Sequence, residues 1–147
     1  MYQDALIKHF KSIGLSDLAI SWLLIVWDMI QVFDDIADKD EVTREDLDKL
    51  IINSFFNYST HSYFTNNITM LAPVVLNCIY KWKSSDIAER SATHNEVSFV
   101  WRASYYDLVL TALSIDKGQE YALENSHFVM AMYGEKYQDY LAEFNHA

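Results

Sequence analysis

The stretch Asp17-Leu-Ala-Ile-Ser-Trp22-Leu-Leu-Ile-Val-Trp27-Asp28-Met-Ile-Gln31-Val-Phe-Asp34-Asp35-Ile-Ala-Asp38 decides how the chain reads. At about 100° per residue, Trp22, Val26, Met29 and Phe33 fall in one narrow stripe, and Leu24, Asp28, Gln31, Asp35 and Asp38 recur on the opposite side at spacings of 4, 3, 4 and 3. That is the period of an α-helix. Its apolar arc is wide and its polar arc only a seam, the pattern of a helix central to a bundle. Trp22 and Phe33 are therefore expected in the core, each losing about 3–5 kcal/mol of stability on replacement by alanine. Asp34 lies off the seam, beside Trp27 and Ile30. The apolar run from Ala19 to Phe33 contains Ser21, Asp28 and Gln31 and falls short of the roughly 20 apolar residues of a membrane span. It reads as a core helix, and no membrane association is expected.

On either side the punctuation suits more helices. Gly14 and Ser16 separate a short helix, Tyr2 to Ser12, from the long one, which runs to about Asp38. After the charged break at Asp38-Lys-Asp-Glu-Val-Thr43, Thr43 is an N-cap candidate with Glu45 and Asp46 in the first turn, where they complement the helix dipole. Val42 and Leu47 stand at the positions of a hydrophobic staple. Leu47, Leu50, Ile51, Ser54 and Phe55 then form a helical stripe to about Asn57. The Asn-, Ser-, Thr- and Tyr-rich segment from Asn57 to Asn67 reads as a loop or frayed end. A fourth helix is expected from about Ile68 to Trp82, with Pro73 either kinking it or marking its first turn. Ser84 to Asn95 reads as a polar loop or a loop with one short turn of helix, Glu96 to about Asp116 as one long helix capped by Lys117-Gly118, and Gln119 onward as a last helix.

Three glycines and one proline in 147 residues leave too few turn formers for an all-β chain, and no repeat is visible. The expected fold is all-α, a single-domain bundle of five to six helices spanning residues 1–147. A single cysteine, Cys78, excludes a stapled scaffold and a Cys-based zinc site, and with no basic and apolar leader at the start a cytoplasmic location is expected. Twenty-one acidic against eleven basic side chains, net charge −10, disfavour direct nucleic-acid binding, which needs clustered Lys and Arg.

Gln31-Val-Phe-Asp34-Asp35-Ile-Ala-Asp38 resembles the second aspartate-rich motif of the trans-isoprenyl diphosphate synthases, over these eight residues and no more of the chain. In that family the motif presents carboxylates to magnesium and a diphosphate. The resemblance implies Asp35 and Asp38 as metal ligands, and the seam adds Asp28, because carboxylates one turn apart can share hard cations. Acids at the C-terminal end of a helix also oppose its dipole, which favours a cation there. Arg102 with Tyr106, an i,i+4 pair, could hold the anion together with Gln31, or Arg102 could answer an aspartate of the long helix. Magnesium is the cofactor this reading would require.

Other motifs carry less. From Asp38, the fifth and sixth positions are Val42 and Thr43, which excludes an EF-hand. The pairs Glu124-x-x-His127 and Glu143-x-x-His146 lie about 28 Å apart on one expected helix and cannot share a site. No phosphate loop, nucleophile elbow or His-Glu-x-x-His pair is present, and Cys78 reads as a small core residue. Ten tyrosines are the unusual count. Tyr133, Tyr137, Tyr140 and Phe144, at spacings of 4, 3 and 4, would form an exposed aromatic stripe suited to a protein partner or a twofold homodimer.

Two functions follow. One is a small acidic interaction or regulatory protein that binds another protein through an acidic, Tyr-rich helical face, in the manner of phage-type accessory or nucleic-acid-mimicking proteins. The other is a magnesium-dependent helical enzyme or binder acting on a phosphorylated or diphosphate ligand through the Asp cluster. Whether the chain is an enzyme stays open on the sequence.

Overall fold

Helix capping sets the element boundaries. In the computed structural model, which describes residues 2–144, α1 (Tyr2–Ser12) ends where Gly14 takes a φ of 95° and the Leu15 N–H donates to the Phe10 carbonyl at 3.1 Å. Ser16 then caps α2 (Asp17–Ala37), its Oγ accepting from the Ala19 N–H at 3.1 Å. At the far end Lys39 adopts φ 62° and the Asp40 N–H reaches the Asp35 carbonyl at 2.8 Å. This is the glycine-type helix terminator, built here on a lysine. Thr43 and Asp46 form a reciprocal capping box that starts α3 (Arg44–Ile52), as the sequence indicates. The helix continues as a π-helical turn, Asn53–Asn57, and into α4 (Tyr58–Thr60) and α5 (Ser62–Asn66).

The segment expected as a loop, 57–67, is thus helical, and it supplies core. Tyr63 and Phe64 are buried, and the Trp22 ring stacks on Phe64 at 5.4 Å between centroids, with Tyr58 at 5.6 Å and Tyr63 at 6.2 Å. The Trp22 indole N–H donates to the Tyr58 carbonyl at 3.1 Å, so the largest side chain of the core is satisfied. His61 caps α5 with its Nδ1, which accepts from the Tyr63 N–H, and its Nε2 lies 3.1 Å from Ser21 Oγ. Burial holds the His61 pKa below the ordinary imidazole value, and in the neutral ring Nε2 is then the donor to Ser21. Polar residues read from sequence as loop formers are here caps and tethers around an aromatic cluster.

These elements form one compact unit, residues 1–68; residues 69–147 form a second. In the first, the buried residues of α2 are Ala19, Ile20, Trp22, Leu23 and Val26, all in its N-terminal half. Phe33, expected in the core, is 47% exposed, and Ile36 is 48% exposed. The wide apolar arc is real, but full burial on it stops at Val26.

The second unit begins with α6 (Ile68–Arg90), a single helix with Pro73 inside it, so that the Thr69 carbonyl lacks an i+4 donor. The helix starts where expected and runs eight residues beyond Trp82. Ser85 and Ala88 are buried on it, and Asp86 pairs with Arg90 at 2.8 Å across one turn, which carries the helix through sequence that looks like loop. It ends at Ala92, φ 59°, with the Thr93 N–H bonded to the Ala88 carbonyl at 2.8 Å. Because a Cβ in this conformation costs energy that glycine avoids, Ala92→Gly is expected to raise stability by about 0.5–1 kcal/mol, measured as the denaturant midpoint.

The expected long helix from Glu96 is two, α7 (Glu96–Trp101) and α8 (Tyr105–Lys117). Between them the Ala103, Ser104, Tyr106 and Asp107 N–H groups bond three residues back instead of four, a 3₁₀-type tightening that turns the axis. Gly118, φ 93°, separates α8 from α9 (Gln119–Met130), and a second break precedes α10 (Tyr137–Ala142). Leu108, Val109, Ala112 and Leu113 of α8 and Ala122 and Val129 of α9 make the buried face of this unit. The class is all-α: no strand occurs among the described residues, and the five to six helices expected are divided into ten α-helical segments and one π turn. No helix among the described residues is long and apolar enough to cross a membrane.

Candidate functional site

The aspartate seam lies along α2 as a row. Asp28 is half-buried and accepts from the Gln3 side-chain amide at 2.6 Å, which ties α1 to α2. Burial raises its pKa above the ordinary carboxylate value, against the lowering effects of the Gln3 bond and the Lys49 charge. Asp35 is partly exposed and Asp38 exposed, and Asp38 sits about 15 Å along the axis from Asp28, out of reach of a shared ion. Gln31 is exposed on the same helix. Among the described residues no group of three or more His, Cys, Asp or Glu side chains could hold a metal ion. The row is a tether at Asp28 and an exposed acidic end at Asp38.

Arg102 was a candidate anion contact, and the second unit surrounds it with anions of its own. Its Nη1 lies 3.7 Å from Glu89, 3.5 Å from Glu135 and 3.4 Å from Glu143, and its guanidinium lies 4.8 Å from the centroid of the Tyr140 ring. Burial lowers the Arg102 pKa, and Glu135, Glu143 and Glu89 more than reverse this, so the guanidinium is held firmly charged. Glu143 is raised above its ordinary value, first by burial and then by Glu135, despite Arg102. Three carboxylates on one guanidinium leave no positive charge for a phosphate. Tyr106, its expected companion, is buried between Tyr105 and Tyr133. Arg102 is therefore paired with glutamates of its own unit.

The aromatic stripe is packed within its unit, with Tyr133, Tyr137 and Phe144 partly exposed. Tyr140 is fully buried, with its hydroxyl 2.7 Å from Ser98 Oγ; Phe99 packs at 5.3–5.5 Å from Tyr133, Tyr137 and Tyr140; Phe144 stacks on His94 at 4.1 Å. The break before α10 folds the stripe onto α7, so it is not the exposed face that one continuous helix would present. The Tyr133 hydroxyl donates to Glu135, and burial and that carboxylate push its pKa up. His146 of the second Glu-x-x-His pair lies outside the described residues.

Cys78 is bonded where α6 meets the turn after α7. Its thiol donates to the Ser104 carbonyl at 3.1 Å, Ser104 Oγ donates back to the Cys78 carbonyl at 3.4 Å, and Lys81 pairs with Asp107 at 2.5 Å one turn away. Burial, with Asp107 nearby, pushes the thiol up to about 11. At neutral pH it is expected to react with a thiol reagent at least about a hundredfold more slowly than free cysteine, since its thiolate fraction is reduced in that proportion. Equal rates would show that this packing opens freely.

What remains on the surface is apolar, and it lies in the first unit. Leu47 is 37%, Ile51 49%, Ile52 49%, Phe56 56% and Phe55 84% exposed. Of the stripe read on α3, Leu50 is buried and the Ser54 hydroxyl is buried, while Leu47, Ile51 and Phe55 are exposed. In the π turn the Asn57 amide donates to the Asn53 side-chain oxygen at 2.9 Å with Asn53 buried, while Phe55 and Phe56 stay exposed. Sequence reasoning passed over this face. The signal was present in the adjacent pairs Ile51-Ile52 and Phe55-Phe56, which make an apolar arc broader than one core contact uses. The stretch of sequence that leads into it is strongly acidic: from Asp28 to Asp48 stand nine acidic and two basic side chains, seven of the ten net negative charges.

Comparison with protein-family models, with curated proteins and with solved structures finds no match to this chain. The functional reading therefore rests on the site.

Proposed function

We propose that the chain is an acidic protein-interaction module whose contact surface is the exposed face of α3 and the following π turn. The observation that supports this is Phe55, 84% exposed beside Ile51, Ile52 and Phe56: a contiguous apolar patch rimmed by acids is costly to leave in water and is the usual mark of a protein contact. In place of an acidic, Tyr-rich face, this reading takes an acidic, Phe- and Ile-rich one, because Tyr140 is buried and Tyr133 and Tyr137 pack on Phe99. The magnesium reading has no comparable support, since its three aspartates are spread along one helix.

A face kept for folding loses stability when made polar, and a face kept for binding does not. Phe55→Ser is expected to move the denaturant-derived stability by no more than about 0.5 kcal/mol. Affinity capture from its own cell extract, with the captured proteins identified, should yield a partner retained by the native chain and lost with Phe55→Ser. Identical catches from both chains would overturn the reading.

A further inference from the structure

We infer that the partner element is an amphipathic helix carrying Lys or Arg beside its apolar stripe, laid along α3. The inference rests on the interaction reading above and adds the chemistry of the occupant. Leu47, Ile51 and Phe55 recur every four residues, so the patch is a row along the helix, with Ile52 and Phe56 as a second, adjacent row. A row of this kind is complementary to the i, i+3, i+4, i+7 anchors of a second helix packed into it.

Charge selects the partner. Glu41, Glu45 and Asp48 are exposed on α3 or just before it, and Asp40 is exposed in the turn between α2 and α3. The Lys49–Glu45 pair, at 3.4 Å, cancels within the face, and the remaining acids between Asp34 and Asp48 outnumber Lys39 and Arg44 by seven to two. A helix flanked by carboxylates would be repelled, and so would a second copy of this chain laid face to face, because its own rim is acidic. A Lys- or Arg-flanked helix gains both apolar burial and long-range attraction.

The test uses the full chain and synthetic peptides of about 18 residues, long enough to form a helix on the surface: a Leu/Lys peptide with leucines at i, i+3, i+4 and i+7, its Leu/Glu counterpart, and a Leu/Lys peptide of the same composition with the leucine phase scrambled. Fluorescence anisotropy reads binding. The phased Leu/Lys peptide is expected to bind, to lose at least about tenfold in affinity with Phe55→Ser and with Ile51→Ser, and to lose salt dependence with Glu41→Lys combined with Asp48→Lys. Circular dichroism confirms that each variant is folded.

Equal binding of the scrambled peptide, equal binding of the Leu/Glu peptide, or indifference to Phe55→Ser overturns the inference. So does sedimentation that shows a dimer dispersed by Phe55→Ser, which would make a second copy the occupant. If no peptide binds while capture still returns a Phe55-dependent partner, the interaction reading stands and this one falls; if capture also fails, both fall.

Discussion

Replacing Trp22 by alanine is expected to cost about 3–5 kcal/mol, a large part of the stability of a small helical unit. The ring is fully buried and touches Tyr58, Tyr63 and Phe64, and its N–H holds the Tyr58 carbonyl. Alanine leaves a cavity lined by three aromatic rings and removes that donor. Phe33→Ala on the same helix is expected to cost less than about 1 kcal/mol, because nearly half of that side chain is already in water. Chemical denaturation of the two variants separates a helix buried along its whole length from one buried only in its first half. Similar losses in both would refute the half-buried α2.

The second large effect belongs to Arg102. Truncating it to alanine leaves Glu89, Glu135 and Glu143 facing one another without a cation and strips the guanidinium from the Tyr140 ring. Breaking a buried pair costs about 3–5 kcal/mol. Arg102 is 23% exposed, and the glutamates range from 20% to 48%, so solvent screening reduces the expected loss to about 2–3 kcal/mol at neutral pH. Arg102→Lys should recover part of it, since charge is restored without the planar fork.

The pH dependence follows from Glu143. Its pKa is raised in the folded state, so its ionised form is disfavoured by folding, and its contribution improves as pH falls through the raised value and levels off below the ordinary carboxylate pKa. Without Arg102 the three acids repel more strongly and this acid-side recovery grows. The difference between Arg102→Ala and the native chain should therefore be largest near neutral pH and shrink on mild acidification. A difference that stays constant with pH would mean that Arg102 acts through packing alone.

Both effects were partly legible in the sequence. Trp22 was assigned to the core by the α-helical period of α2, and the period holds because it reflects backbone geometry. Phe33 shares that stripe and is half in water, since the period tells which way a side chain points but not how far the covering helices extend. Arg102 was singled out as the basic group that acids would seek, but its partners, Glu89, Glu135 and Glu143, are between 13 and 41 residues away in the chain. No local pattern encodes that meeting.

What the sequence by itself determined is what nearest neighbours determine: the all-helical class, the first helix and its glycine terminator, the Ser16 and Thr43 caps, and the Gly118 break. Each is a contest between local hydrogen bonds and backbone conformations within a few residues. The tertiary structure decided the rest. It made helix of 57–66 by packing Tyr58, Tyr63 and Phe64 on Trp22, and it extended α6 to Arg90 by burying Ser85 and Ala88. It broke the last helix so that Tyr140 could reach Ser98, and it left Ile51, Ile52, Phe55 and Phe56 uncovered. A side chain's burial depends on which distant surface arrives against it, so an apolar stripe reads the same in sequence whether it closes a core or faces water.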